Sequence, residues 1–140
     1  SHYEQNEKYF NYHGIEDALC AVRAASEEGI VAGGGFTYLM GMLNIPVCTS
    51  HADQPGGDIV IEALDAPFKQ ICQNAGLDAE KLLKEVISKK VGFNAKTERF
   101  SNLIEDGVID PAKVSRVALE NAASVAKMFL TTECVIVENE

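Results

Sequence analysis

The run "EEGIVAGGG" ends in Gly33, Gly34 and Gly35, three consecutive residues of bare backbone. One glycine past a helix end accepts a positive φ without a side-chain clash. Three in succession give up conformational entropy, which suits a sharp turn or a group that must lie flat against the peptide planes. The pattern is not GxGxxG, so it does not describe a Rossmann dinucleotide site. Other positions carry polar groups where chemistry is feasible. Asp17 in "EDAL" falls in the expected first turn of a helix, where the dipole favours a carboxylate. Asn94 in "GFNAK" suits a turn. Asp110, just before Pro111, is a good helix N-cap.

The balance of charge narrows the ligands these residues could meet. The chain has 140 residues and a net charge of −9, with no basic cluster. Nucleic-acid affinity rests on Lys and Arg neutralising phosphates, which argues against that partner class. A small anion such as a nucleotide stays compatible if a cation and backbone N–H groups carry its charge. No apolar run reaches the roughly 18 residues that span a bilayer. Cys20, Cys48, Cys72 and Cys134 form no CxxC pair, and none has a His at metal-ligand spacing. Zinc and a disulfide framework are therefore disfavoured, and free, mostly buried thiols in a reducing compartment are expected. His2, His13 and His51 lie in tail or loop context and receive no role.

With 46% hydrophobic and 24% charged residues the chain suits one folded domain. Residues 1–14, "SHYEQNEKYFNYHG", show no clear period and read as a tail, an insertion or a cloning remnant. From Ile15, the residues Leu19, Val22 and Ala25 recur at helical spacing, with Gly29 as the stop. "FTYLMGMLN" reads as a short apolar helix, and "VCTSHADQPGGD" as loop throughout. "IVIEALDAPFKQICQNAG" reads as one long helix bent at Pro67. "DAEKLLKEVISKK" is a helix capped by Asp78, with Glu80–Lys84 and Lys81–Glu85 pairs on its surface. "VGFNAKTERFSNLIEDGVID" is glycine-punctuated and fits short strands or a hairpin. Pro111 opens the last helix, whose charges Lys113, Arg116, Glu120 and Lys127 share one narrow face; the rest should be buried. "CVIV", Cys134 to Val137, reads as a strand that needs a partner.

Four stretches in this order resemble the C-terminal part of the equatorial domain of group I chaperonins, the GroEL family. They are "EDALCAVRAASEEGIVAGGG", "APFKQICQNAG", "VGFNAKTERFSNLIEDGVIDPAKVSRVALENAASVA" and "TTEC". The resemblance covers about Ile15 to Val137; from Phe36 to Asp58 it holds only in character. It implies a mainly α fold, the helical bundle of that domain with a few short β-strands, over residues 15–140. It also implies a piece of a longer protein. The phosphate-cradling loop and the Gly-Asp-Gly-Thr-Thr segment would lie in an N-terminal part, and unfolded protein and co-chaperonin would be held by an apical domain.

By the same resemblance the cofactors are ATP, Mg²⁺ and K⁺, with most phosphate and metal contacts outside this chain. Asp17 corresponds to the aspartate that positions the water attacking the γ-phosphate, close to Mg²⁺; the register of "EDAL" favours it over Glu16. Gly33, Gly34 and Gly35 correspond to the backbone against the nucleoside, Gly34 being the usual contact. Asn94 and the backbone at Ala95 correspond to readers of the adenine edge, although Lys96 stands where the family often has a small residue. Asp110 corresponds to the aspartate that bonds the ribose hydroxyls, and its two oxygens allow capping as well. Lys69 and Asp78 match positions where two rings meet. The implied partners are other subunits of a homo-oligomeric ring, non-native proteins and a co-chaperonin, in a bacterial cytoplasm, a mitochondrial matrix or a plastid. A separate reading is a stand-alone helical module that binds chaperonin subunits without using nucleotide; "QPGGD" and the unmatched N-terminus favour it.

Overall fold

The structure, a computed structural model, describes the backbone of residues 2–45 and 54–134, and side-chain surroundings for 14–45 and 55–134. The described elements are α1 (His2–Glu28), β1 (Ile30–Ala32), α2 (Phe36–Met42), α3 (Gln54–Ala63), α4 (Ala66–Asn74), α5 (Ala79–Lys89), β2 (Gly92–Asn94), β3 (Arg99–Ser101), β4 (Ile109–Pro111) and α6 (Ala112–Thr131). Every strand has three residues, so the fold is mainly α, as expected. The residues divide into two compact units. One comprises the chain up to Gly29 and from Pro111 onward, the other Ile30–Asp110.

In the Ile30–Asp110 unit, Leu39, Phe68, Cys72, Ala79, Leu83, Val86 and Phe93 form the core. They come from α2, α4, α5 and β2. α5 buries Ala79, Leu83 and Val86 at spacings of four and three, the single stripe that a helix lying on a core requires. Asp78 caps it by accepting from Lys81 N at 3.1 Å, as its place before "AEKLL" predicts. The surface pairs differ from expectation: Glu80 meets Lys69 at 2.8 Å and Glu85 meets Lys89 at 2.7 Å. Lys89 also lies over the Phe100 ring, 4.0 Å from its centroid. Lys69 of α4 draws Glu80 away from Lys84, while Glu85 keeps an i,i+4 partner on α5 but takes Lys89 on its C-terminal side, the favoured Glu-before-Lys order.

The expected single helix around Pro67 is two helices. Leu64 and Asp65 separate α3 from α4, and Pro67 stands in the first turn of α4. Proline has no N–H to offer residue 63 and its ring crowds that carbonyl, so the chain breaks rather than bends. "QPGGD", read as loop, is the start of α3. Pro55 stands in the first turn, where its missing N–H would have been unpaired anyway.

β2 and β3 pair antiparallel, with Gly92 opposite Ser101, Phe93 opposite Phe100 and Asn94 opposite Arg99. Phe93 and Phe100 meet with ring centroids 5.2 Å apart. This is the hairpin that the glycine punctuation predicts. β1 pairs with β4 in a second two-stranded sheet.

In the other unit, α1 runs unbroken through Gly14, so residues 2–14 are helical rather than irregular. Once the periodic segment from Ile15 is helical, each further residue adds a hydrogen bond without a new nucleus. α6 pairs with α1 through Glu27–Lys113 and Glu28–Arg116. No residue of α6 is buried, against the expectation of a helix covered on most sides. Among the described residues α6 packs chiefly on α1, and its charged stripe begins on that side; Phe129 and Leu130 are 71% and 88% exposed. Of the cysteines, Cys72 is buried while Cys20 and Cys134 are exposed, all as free thiols. Cys48 and nearly all of the expected "CVIV" strand lie outside the described residues.

Candidate functional site

The three glycines do three different things. Gly33 N donates to Val108 O at 2.9 Å and Gly33 O accepts from Phe36 N at 3.2 Å, which turns the chain from β1 into α2. A Cβ on Gly33 would stand 3.2 Å from Asp110 Oδ1. Gly35, at φ +76°, has no room at all: a Cβ there would lie 2.8 Å from Phe68 N, in the first turn of α4. Gly34, at φ +65°, would meet only Leu103 and Val108 at ordinary contact distance. It is also half-buried while both neighbours are buried. Packing thus accounts for Gly33 and Gly35. Gly34 is the one whose peptide stays accessible to something outside.

Asp110 is not an N-cap. It belongs to β4, and Pro111 occupies the cap position of α6 with extended backbone and no side-chain cap. With Pro111 extended at ψ 128°, the helix begins at Ala112, one residue too late for the Asp110 side chain to reach its free N–H groups. The carboxylate lies instead over Gly33 and, among the described residues, accepts no hydrogen bond. It is half-buried and has acceptor capacity to spare.

Asn94, 8% exposed, closes the hairpin turn. Its Oδ1 accepts from Lys96 N at 3.1 Å and Thr97 N at 3.3 Å, and its Nδ2 donates to Asp106 Oδ2 at 3.2 Å. One Nδ2 hydrogen remains. Ala95 packs against the core, while Lys96 is exposed. Ser101 Oγ donates to the same Asp106 oxygen. The Ser101 hydroxyl first, then the Asn94 amide, hold the Asp106 carboxyl below the usual carboxylate range.

The segment from Asn102 to Val108 supports both features. Val108 O holds the Gly33 corner and Asp106 holds the Asn94 turn. Leu103, 2% exposed, fills the space beside Gly92, where a Cβ would come within 2.4 Å of Leu103 Cγ. Leu103, Asp106 and Val108 escaped the sequence reading because nothing periodic marks them. Only "SNLIEDG", with Asn102 Oδ1 accepting from Ile104 N at 3.2 Å, signals a compact turn.

Asp17 belongs to the other unit, exposed on α1. Because α1 starts at His2, Asp17 is mid-helix rather than in a first turn, and the dipole no longer explains a carboxylate there. Lys69, on α4, binds Asp65 at 3.0 Å and Glu80 at 2.8 Å. Glu80, then Asp65, raise its ammonium pKa above the usual lysine value. Asp78 serves α5 as its cap, so both positions have work within this chain.

The model of the TCP-1/cpn60 chaperonin family matches residues 12–140. The chain belongs to that chaperonin family. The match takes in Asp17, Lys69, Asp78, the glycine corner, the Asn94 turn and Asp110, and extends slightly beyond the stretch whose motifs resemble GroEL. Chaperonins assist protein folding and assemble with other chaperonin subunits, which places this chain in an oligomeric folding machine.

Proposed function

We propose that the chain is part of an ATP-dependent group I chaperonin and supplies the adenosine side of its nucleotide site. The observation that carries this reading is the Asp110 carboxylate, which lies over Gly33 and accepts no hydrogen bond among the described residues. A ribose diol presents two O–H donors, and a carboxylate with both oxygens unused is a fitting acceptor. Gly34 leaves its peptide open for the sugar and base to approach, and the corner has no side chain to push them away. The adenine edge is met by the backbone at Ala95 and by the remaining Nδ2 hydrogen of Asn94, whose other groups are engaged in the turn.

ATP, as substrate, supplies the anhydride and several negative charges. A chain of net charge −9 cannot neutralise these alone, which is why Mg²⁺ and K⁺ belong to the proposal, held mostly by a separate N-terminal part. Asp17 is assigned to the attacking water. Phosphoryl transfer is catalysed mainly by orientation and charge stabilisation, so one placed carboxylate carries much of the rate. The exposed apolar side of α6 is assigned to contact with that N-terminal part, and Lys69 and Asp78 to contact between rings. Non-native protein and co-chaperonin would bind an apical domain. The setting is a bacterial cytoplasm, mitochondrial matrix or plastid.

The test is made in the assembled chaperonin. Asp17→Ala should slow hydrolysis at saturating ATP by at least about a hundredfold while ATP still binds. Asp110→Ala should weaken binding about tenfold or more, the scale of a lost charge-assisted hydrogen bond. Unchanged affinity in Asp110→Ala, or binding lost together with hydrolysis in Asp17→Ala, refutes the assignment.

A further inference from the structure

Asp106 has no assigned contact with nucleotide, yet its side chain hydrogen-bonds the hairpin, at Asn94 and Ser101, to the segment holding the glycine corner. We propose that Asp106 is the positioning residue of the base-side turn, acting through Asn94. The proposal rests on the nucleotide reading above and deepens it.

The geometry is that of a relay. Asp106 Oδ2 takes Ser101 Oγ–H and one Nδ2 hydrogen of Asn94. An amide held by its nitrogen end has its oxygen end aimed as well, because the two are fixed in one plane. The Asn94 oxygen is thereby held on the N–H groups of Lys96 and Thr97, which gives the turn its shape. Ser101 stands opposite Gly92 in the β2–β3 ladder, so the second hydrogen bond fastens the carboxylate to the hairpin itself. On its own backbone, Asp106 N donates to Asn102 O at 3.0 Å, and two residues on Val108 O accepts from Gly33 N at 2.9 Å. One short segment therefore sets both walls between which the nucleoside would lie.

Removing the carboxylate leaves Asn94, which is mostly buried, with an unsatisfied N–H end and freedom to reorient. The consequence is specific to the base side. Affinity should suffer while the rate at saturation does not, since Asp106 touches no reacting atom. Asparagine at this position keeps an acceptor oxygen for both donors and should restore most of the behaviour; alanine should not.

Two readouts decide it. In this chain, amide hydrogen exchange at Lys96 and Thr97 should speed up about tenfold in Asp106→Ala, with the β2–β3 ladder unchanged, and return toward wild type in Asp106→Asn. In the assembled chaperonin, Asp106→Ala should raise KM for ATP about tenfold with kcat unchanged, again recovered by Asp106→Asn. Exchange that does not move in Asp106→Ala overturns the proposal, as does a loss of kcat with KM intact. Asn94→Ala separates the two levels. If it leaves KM unmoved, the nucleotide reading fails and the relay fails with it; if it raises KM while Asp106→Ala does not, the site stands and Asp106 has no part in it.

Discussion

Adjacent glycines of one composition differ sharply in what they can tolerate. Gly35 combines a left-handed φ with a Cβ position 2.8 Å from a backbone nitrogen, so neither the turn nor α4 can yield cheaply. Gly35→Ala should cost about 2–4 kcal/mol, adding the left-handed penalty to overpacking. Gly34→Ala carries the left-handed penalty of about 1–2 kcal/mol alone. Urea titration of the two variants measures the difference directly; equal losses would show that the corner is not packed as described. In the assembled chaperonin, nucleotide affinity should also fall in Gly34→Ala, because the strained turn displaces the peptide that the nucleoside is proposed to approach. That a glycine corner existed was plain in "AGGG", but which glycine served packing and which stayed open depends on Phe68 and Asp110, far along the chain.

Among the elements, the α1–α6 pair is held at one end by charge. Arg116 Nε and Nη2 donate to the two oxygens of Glu28 at 3.0 and 2.6 Å, and Arg116 Nη1 reaches Glu120 at 2.8 Å. The Arg116 hydrogen bonds, and then its charge, hold the Glu28 carboxyl below its ordinary value. A depressed carboxyl stabilises the folded state above its unfolded pKa and loses that contribution as pH falls through the lower, folded value. Helix pairing in this unit should therefore weaken below about pH 4. In Arg116→Ala that acid dependence should flatten, as followed by amide exchange in α6 against pH. An acid limb as steep as that of the wild type would rule the pair out as its source. The helices themselves were largely legible from periodicity and capping, with α5 the clearest case. Pro67 and "QPGGD" were not, because the same proline chemistry suits a bend inside a helix and the first turn of a new one.

For the whole molecule, an apolar helix with no buried residue is the feature that bears on behaviour in solution. Val114, Leu119, Val125, Met128, Phe129 and Leu130 are all exposed on α6. Contiguous apolar surface of this kind marks a contact with another chain or segment, or a liability when that contact is missing. The chain by itself should associate as concentration rises in sedimentation experiments. Replacing Phe129 and Leu130 by Lys should reduce that association; a monomer at every concentration would contradict the exposure described. The sequence foretold that this face was apolar, and expected it covered, because pattern records what a surface is suited to meet and not what meets it.

Composition, periodicity and turn chemistry by themselves determined a mainly α chain, a hairpin near Asn94, the cap at Asp78, the glycine corner and, through ordered motifs, the chaperonin family. Each of these is local, set by neighbours within a few residues along the chain. Tertiary structure alone decided that Asp110 points over Gly33 instead of capping α6, and that Asp106 and Val108 join the two features of the candidate site. Those facts depend on groups brought together from distant parts of the chain, where a side chain's role is fixed by whichever donor, acceptor or backbone arrives beside it.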